Sequence, residues 1–307
     1  MTVPARAPVD RLALGAALLT VVLWASAFVG IRAASVDLAA GSLALGRLGV
    51  GSVALGILVL SRGFVWPSRR DLALIVGSGV LWFAFYNLAL NEAERHVDAG
   101  TASMLTNVGP ILIAIFAGLF LHEGFPPRLL VGCLIAFLGA LVIGFATSNA
   151  MAIGEGTTLG IVLCLVAALL YACGVTLQKP ALRAVPAAQV TWMACVVGTV
   201  VCLPFGPGLV DSLGRADPSS IAWMVYLGLF PTSIGFTLWA FALNRSTAGR
   251  LGSTTYLVPP IAILMGWALL GEIPPVLGIA GGVLCIGGVI VARSRGSLPW
   301  QRAAVVA

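Results

Sequence analysis

The feature of this chain that most restricts its fold is a series of long segments without a single charged residue. Nine such runs, each of 20 residues or more, cover 12–31, 72–91, 99–122, 129–154, 156–178, 184–210, 218–244, 251–271 and 273–292. An α-helix needs about 20 apolar residues to cross about 30 Å of hydrocarbon. Because backbone amides in lipid must be paired within the segment, each run is predicted to be a transmembrane helix.

The composition agrees with this prediction. Only 9% of the 307 residues are charged and 60% are hydrophobic, whereas a soluble domain carries roughly 25% charged residues. A soluble globular enzyme is therefore excluded. One further apolar stretch, residues 38–61, is interrupted only by Arg47 and raises the count to ten. The predicted fold class is all-α, a polytopic membrane protein with ten transmembrane helices.

The basic residues are distributed unevenly between the two sides that ten helices define. One side carries 13 Lys and Arg residues, and the other carries Arg32, Arg95 and Arg215. Since Lys and Arg accumulate in cytoplasmic loops, the richer side is predicted to be cytoplasmic, together with both termini. The expected location is therefore the cell (inner) membrane. The net charge of +6 reflects this topology and does not indicate nucleic-acid binding.

The two halves of the chain resemble each other. The segment from Asp98 to Glu123 can be aligned with the segment from Thr247 to Glu272, which places Pro on Pro, Glu on Glu and Ala-Gly on Ala-Gly. The repeat unit is five helices, so we expect one repeat in residues 1–146, a second in 147–295, and a cytoplasmic tail in 296–307. Because five is odd, the second repeat is inverted in the membrane.

Inverted repeats are found in secondary transporters, in which two halves exchange conformations and open a central site to alternate sides. The internal repeat therefore favours transport by alternating access. The alternative is a duplicated bundle that is stable but has no transport role.

The chain resembles the EamA-like family of the drug/metabolite transporter superfamily. The residues that carry the resemblance are Trp24-Ala25-Ser26-Ala27-Phe28, Arg47, Pro110 with Glu123, and Pro259 with Glu272. The resemblance implies an inner-membrane permease, commonly an efflux carrier for amino acids, other small metabolites or drugs. It does not specify the substrate.

Arg47 is the one charge inside a predicted span, where a charge costs about 2.5–3.5 kcal/mol on insertion scales. In one interpretation its guanidinium is a bidentate anchor for a substrate carboxylate. In the other it is a structural residue, bonded to backbone carbonyls or extending to the membrane interface. Arg47 is therefore a candidate for substrate binding.

Pro110, Pro259 and Pro260 lie inside predicted spans, and Pro231 makes a similar break in the eighth span without a counterpart in the repeat. A proline in a helix leaves the carbonyl four residues earlier without its donor, and at membrane depth such a group needs protein or a water-lined cavity. The residues predicted on this ground to line a substrate cavity are Thr106, Asn107, Thr255 and Tyr256. The alternative is a plain kink in which the threonine hydroxyls bond locally.

Aromatic and polar side chains within the spans form either cavity walls or a belt at the membrane interface. They are Trp24, Trp82, Tyr86, Asn87, Tyr171 and Trp239. Trp24 and Asn87 are the candidates for substrate binding among them, Trp24 because it recurs as Tyr171 in the second repeat.

Glu123 and Glu272 end the fourth and ninth spans beside Pro-Pro pairs. With the helix-kinking Pro110, Pro259 and Pro260, they are candidates for gating. The alternative is that neighbouring arginines or backbone groups simply hold them. No other carboxylate lies deep in an uncharged run, so proton coupling through an intramembrane acid is not predicted.

The sequence offers no enzymatic site. His122-Glu123 begins like a metalloprotease motif, but Pro126 replaces its second histidine, and the six cysteines lie in apolar runs without a CxxC pair. We expect no catalytic residue, no metal and no cofactor. The expected partners are a small-molecule substrate and the lipid bilayer, and a homodimer is left open. A membrane-embedded enzyme and a non-transporting scaffold are the alternatives to a transporter.

Overall fold

The computed structural model of the protein describes residues 10–97, 99–147, 155–270 and 276–294. Within these ranges the chain forms helices joined by short turns, without a strand. The predicted tail 296–307, both termini and the gating candidate Glu272 lie outside the described residues.

Twelve helices are described, some with short stretches of other helical geometry. They are α1 (Arg11–Ala34), α2 (Ala40–Arg62), α3 (Arg69–Ala93), α4 (Ala99–Thr106), α5 (Gly109–Phe120), α6 (Pro127–Thr147), α7 (Glu155–Ala181), α8 (Ala187–Leu213), α9 (Pro218–Arg245), α10 (Ala248–Gly252), α11 (Val258–Leu270) and α12 (Val276–Arg293). In the described part of the chain, eight of them are long and apolar enough to span a membrane, namely α1, α2, α3, α6, α7, α8, α9 and α12. The all-α class is thereby confirmed, and the protein is a multi-pass membrane protein.

The other two expected spans, residues 99–122 and 251–271, are interrupted. The first ends as α4 at Thr106 and restarts as α5 at Gly109, and the second passes from α10 through a 3₁₀ turn, Ser253–Leu257, into α11. Pro110 and Pro259 are each the second residue of the restarted helix, where a proline costs no hydrogen bond. Each proline therefore lies in the first turn of the helix that follows the interruption, which is two turn residues before Pro110 and a 3₁₀ stretch before Pro259. The count of ten helices stays a prediction.

Two of the spanning helices contain a π-helical stretch near their middle. These are Gly79–Phe85 in α3 and Gly228–Gly235 in α9. The two stretches occupy the same place in the predicted repeat, with the spacing that relates Pro110 to Pro259. Single π-helical turns inside α-helices are frequent at functional sites.

The helices of the first half pack against those of the second. α2 contacts α8 and α6 contacts α12, whereas α1 contacts α9 and α3 contacts α7. The large buried side chains Trp82, Trp239 and Phe83 lie at this boundary in one cluster. The core of the described molecule is thus shared between the two halves.

Glycines let α6 and α12 approach to backbone contact. A Cβ placed on Gly139 would lie 2.6 Å from the carbonyl oxygen of Gly281, and a Cβ on Gly281 would lie 2.7 Å from that of Gly139. Small residues at such crossings are typical of membrane helices, whose association depends on close packing.

Candidate functional site

A cavity lies between α1, α2, α3, α4 and α7, and is completed by α9, α11 and the 3₁₀ turn before α11. The volume of the cavity that is open to the centres of water molecules is about 70 Å³. Since one water needs about 10–15 Å³ by that measure, the cavity holds several waters or a small ligand.

Six of the seven residues predicted to bind substrate line this cavity. They are Trp24, Arg47, Asn87, Thr106, Asn107 and Thr255. The seventh, Tyr256, is buried in the cluster between α6 and α12, beside Cys133 and Cys285. Adjacent residues on a 3₁₀ turn point about 120° apart, so Thr255 and Tyr256 face different sides of the chain.

Arg47 reaches the cavity from the middle of α2, and only 3% of the residue is exposed. Its Nε and Nη2 atoms each donate to the hydroxyl of Thr232 over 3.2 Å. Thr232 lies in the π-helical stretch of α9. This stretch packs closely on α2 at Gly228, where a Cβ would lie only 2.7 Å from the carbonyl oxygen of Arg47. Among the described residues, no hydrogen bond occupies Nη1, which leaves part of the guanidinium for a ligand.

Asn87 joins the cavity wall to the π-helical stretch of α3. Its Nδ2 donates to the carbonyl of Phe83 over 2.7 Å and to that of Trp82 over 3.4 Å. Its Oδ1 is buried and has no partner among the described residues, which is also true of Trp24 Nε1 and Ser103 Oγ on the same cavity. A buried polar atom left unpaired costs about 1–3 kcal/mol, so these atoms indicate where water or a polar ligand binds.

The remaining wall is aromatic. The ring centroid of Trp24 lies 6.1 Å from that of Trp82, 6.2 Å from Tyr171 and 5.3 Å from Phe236. Trp82, Tyr86 and Tyr171, all cavity candidates, line the space, whereas Trp239 lies outside this lining with its ring tilted against that of Trp24, the centroids being 4.9 Å apart. With Arg47 and the unpaired polar atoms, these rings make the cavity suited to an amphipathic ligand.

The side chains at the two helix breaks bond locally while they line the cavity. Thr106 Oγ1 donates to the carbonyl of Ala102, and Thr255 Oγ1 donates to that of Gly252 over 2.8 Å. Asn107 Nδ2 donates to the carbonyl of Ser103 over 2.6 Å. Local bonding and a place on the cavity, which the sequence offered as alternatives, therefore occur together.

Glu123 lies away from the cavity in a group of contacts that we call the Glu123 cluster. Its Oε1 lies 3.0 Å from Lys179 Nζ at the end of α7, and its two oxygens accept from the backbone N–H groups of Ala248 and Gly249 over 2.9 and 3.3 Å. Lys179 also donates to the carbonyls of Leu243 and Ser246. The Glu123 cluster therefore ties the ends of α5, α7 and α9 and the start of α10 together.

Sequence reasoning missed Glu94, the residue after the end of α3. Both of its carboxylate oxygens are shielded from solvent and have no hydrogen-bond partner among the described residues. Burial raises the pKa of Glu94 to about 8, against the opposing effect of Arg32 and Arg47. A signal was present, because Asn87, Asn91 and Glu94 follow helical spacing and form one polar stripe, of which Asn87 and Asn91 are buried.

Comparison with known proteins gives a consistent result. Residues 11–145 and 158–294 each match the EamA-like transporter family. A protein of Streptantibioticus cattleyicolor named "Probable terminal-alkyne amino-acid exporter" is 37% identical over 283 residues, 92% of this chain and 94% of its own. A Salmonella typhimurium protein named "Probable amino-acid metabolite efflux pump" is 26% identical over 74% of this chain and 79% of its own.

Two further comparisons bear on the relatives and the fold. The pseudopaline exporter CntI of Pseudomonas aeruginosa is 24% identical over 83% of this chain and 87% of its own. A crystal structure of 18% sequence identity superposes with a TM-score of 0.73, covering 92% of this chain and 96% of that one, which shows a shared fold. With a family match across both halves and a relative above 30% identity, the chain belongs to the EamA-like transporter family.

Proposed function

We propose that the protein is a secondary transporter that exports small amphipathic metabolites of the amino-acid type by alternating access. The observation that carries this proposal is the cavity at the boundary of the two halves, where buried Arg47 stands among aromatic rings and unpaired polar atoms. Relatives named as amino-acid exporters and metabolite efflux pumps support the substrate class and the direction.

The same proposal includes ten spans in two inverted repeats, residues 1–146 and 147–295, in the cell membrane with both termini cytoplasmic. Counting α4 with α5, and α10 through α11, as one interrupted span each brings the eight long helices to ten. The two family matches, the paired π-helical stretches and the two broken helices at equivalent positions support the repeat. Broken helices are a known device for building transporter sites.

Within this scheme Arg47 anchors a substrate carboxylate, because a guanidinium offers charge-assisted donors of fixed geometry. Trp24 forms an aromatic wall, and Asn87, Thr106, Asn107 and Thr255 form the polar ones. The breaks before Pro110 and before Pro259 and Pro260 give the cavity freedom to open on one side at a time.

The Glu123 cluster is proposed to close the cytoplasmic side. The cluster lies at the helix ends that are predicted, from the distribution of basic residues, to face the cytoplasm. The cavity extends in the other direction, towards Ile31 and Leu90 near the opposite ends of α1 and α3. Export by alternating access then requires that the Glu123–Lys179 contact break while the outer end closes.

A counterflow assay tests the function. The purified protein is placed in liposomes loaded with one unlabelled compound, and entry of the labelled compound is followed for amino acids, amino-acid analogues and cationic drugs. We expect exchange of at least one class of small zwitterionic or amphipathic compound above empty liposomes. Absence of exchange for every compound, from a protein that elutes as a folded species, would overturn the proposal.

A further inference from the structure

We infer that Glu94 receives the ammonium group of the substrate while Arg47 holds its carboxylate, so that the cavity selects zwitterions. This inference rests on the proposed transport function and narrows its substrate class. It concerns a residue that the uncharged runs and the repeat did not single out.

The position of Glu94 follows from the helix that carries it. Tyr86, Asn87 and Leu90 of α3 line the cavity, and Glu94 lies one turn beyond Leu90 on that face. The residue as a whole is half-buried, but neither carboxylate oxygen is exposed to solvent. Glu94 therefore lies one turn beyond the cavity lining, on the side opposite to the Glu123 cluster, and a ligand must extend past Leu90 to reach it.

The charged groups that act on Glu94 come from two helices besides α3. Arg32 faces it from the exposed end of α1 and Arg47 from the buried middle of α2. Tyr86 of α3 interacts with Glu94 and Arg47, and also with Cys164 of α7. In the described residues no cation forms an ion pair with Glu94.

A buried carboxylate without a fixed partner is costly, and proteins normally pair or protonate it. A ligand ammonium removes that cost because it supplies three N–H donors and a positive charge to two bare oxygens. Arg47 presents the complementary charge within the cavity itself. A molecule with one anionic and one cationic end therefore satisfies both groups at once, which a simple acid or a simple amine cannot do.

The pH dependence has a defined sign. With its pKa raised to about 8, Glu94 is mostly protonated at neutral pH, and an ammonium group must displace that proton to bind. Apparent affinity is then expected to rise about tenfold per unit as pH increases towards 8 and to level off above it. The rise stops when the substrate's own ammonium begins to lose its proton.

The probes are propargylglycine, leucine, methionine and phenylalanine, each with its N-acetyl derivative, which lacks the ammonium, and its methyl ester, which lacks the carboxylate. Counterflow in liposomes and its inhibition by each derivative are measured for wild type, Glu94→Gln and Glu94→Asp. Glu92→Gln is the matched control, because Glu92 lies at the same helix end and pairs with Arg95 and His96 on the surface.

We expect wild type, Glu92→Gln and the charge-conserving Glu94→Asp to prefer the free amino acid to its N-acetyl form by about tenfold or more. Glu94→Gln should lose that preference and the rise with pH, but should still prefer the N-acetyl form to the ester, which reports on Arg47 and on correct folding.

The inference is overturned if Glu94→Gln keeps the wild-type preference and pH profile, or if Glu94→Asp loses them as Glu94→Gln does. It is also overturned if wild type exchanges N-acetyl derivatives as well as free amino acids, a result that leaves the transport proposal intact. If wild type exchanges no compound of the broader screen, the transport function itself fails.

Discussion

Arg47 shows how the chain stabilises a charge within a membrane-spanning helix. The π-helical stretch of α9 brings Thr232 to the guanidinium, and Gly228 allows the two helices to lie close enough for that contact. The hydroxyl occupies two of the three nitrogens. The contact therefore orients the charge without neutralising it, which suits a group that binds and releases an anion.

Replacing Arg47 should remove substrate binding with little effect on folding. A hydrogen bond to a charged group contributes about 1.5–3 kcal/mol, so Arg47→Ala should lower counterflow of carboxylate substrates by roughly 10- to 100-fold. Arg62→Ala, at the exposed end of the same helix, should transport like wild type. Unchanged transport of every accepted substrate by Arg47→Ala would remove Arg47 from the binding site.

Single residues of the cavity were predictable from the sequence where the residue type is unusual inside a membrane-spanning helix. A charge inside a span and a proline inside a span are visible in sequence, and they led to Arg47, Thr106, Asn107 and Thr255, which line the cavity. Tyr256 lies elsewhere because its direction depends on a 3₁₀ turn that the sequence does not specify. Glu94 was missed because it follows the end of a run and reads as part of a loop.

At the scale of elements, the contact between α6 and α12 depends on which side of the helix each glycine occupies. A Cβ on Gly288 would lie 2.4 Å from the backbone N of Ala136, whereas a Cβ on the adjacent Gly287 meets nothing within 4 Å. Backbone cannot move aside as a flexible side chain can, so the two positions should respond differently to the same substitution.

Gly288→Ala should therefore destabilise the protein, and Gly287→Ala should be neutral or stabilising by up to about 1 kcal/mol, as expected for Gly to Ala in a helix. Thermal unfolding in detergent, followed by fluorescence of the soluble fraction, measures both. Equal melting temperatures for the two variants would show that α6 and α12 do not pack as described.

The Glu123 cluster is a second element-scale feature with a direct test. Glu123→Gln removes the charge that pairs with Lys179. Because the pair is largely buried, the loss leaves the Lys179 charge uncompensated and strongly destabilises the closed arrangement of the cluster. In this background a cysteine introduced at Thr255 should react severalfold faster with a polar maleimide added from the cytoplasmic side. Glu92→Gln serves as the control, and equal rates in both would argue against a closing role for Glu123.

The helices themselves were largely predictable, and their internal geometry was not. Seven of the nine uncharged runs correspond to one described helix each, because hydrocarbon excludes charges and requires paired backbones, whereas the runs 99–122 and 251–271 are interrupted. The π-helical stretches at Gly79–Phe85 and Gly228–Gly235 carry no compositional signal, since a hydrogen bond five residues back leaves no mark on hydropathy.

For the whole molecule, the proposed ten spans fix which loops share a side of the membrane. Ser68, before α3, and Arg95, just after it, are both exposed and should lie on opposite sides. Single cysteines at these positions, in a background without native cysteines, should be labelled by an impermeant reagent from the cytoplasmic and outer side respectively. Labelling of both from one side would contradict the topology.

The all-α, multi-pass class was predictable because the long uncharged runs are readable without a structure, and the proline, glutamate and glycine positions that the two halves share predict the repeat. The substrate preference was not predictable from the sequence, because it depends on how atoms from distant parts of the chain come into contact. The hydroxyl of Thr232 beside Arg47 is an example, since 185 residues separate the two in sequence.

The π-helical stretch of α3 has a consequence for chain length. A π-helical turn holds one residue more than an α-helical turn, so deleting one residue within Gly79–Phe85 lets the stretch convert to α-helix while the residues after it keep their direction. An α-helix turns about 100° per residue, so the same deletion between Asn87 and Leu90 turns Leu90 away from the cavity that it lines. We therefore expect a one-residue deletion to disturb the site less within the π-helical stretch than after it.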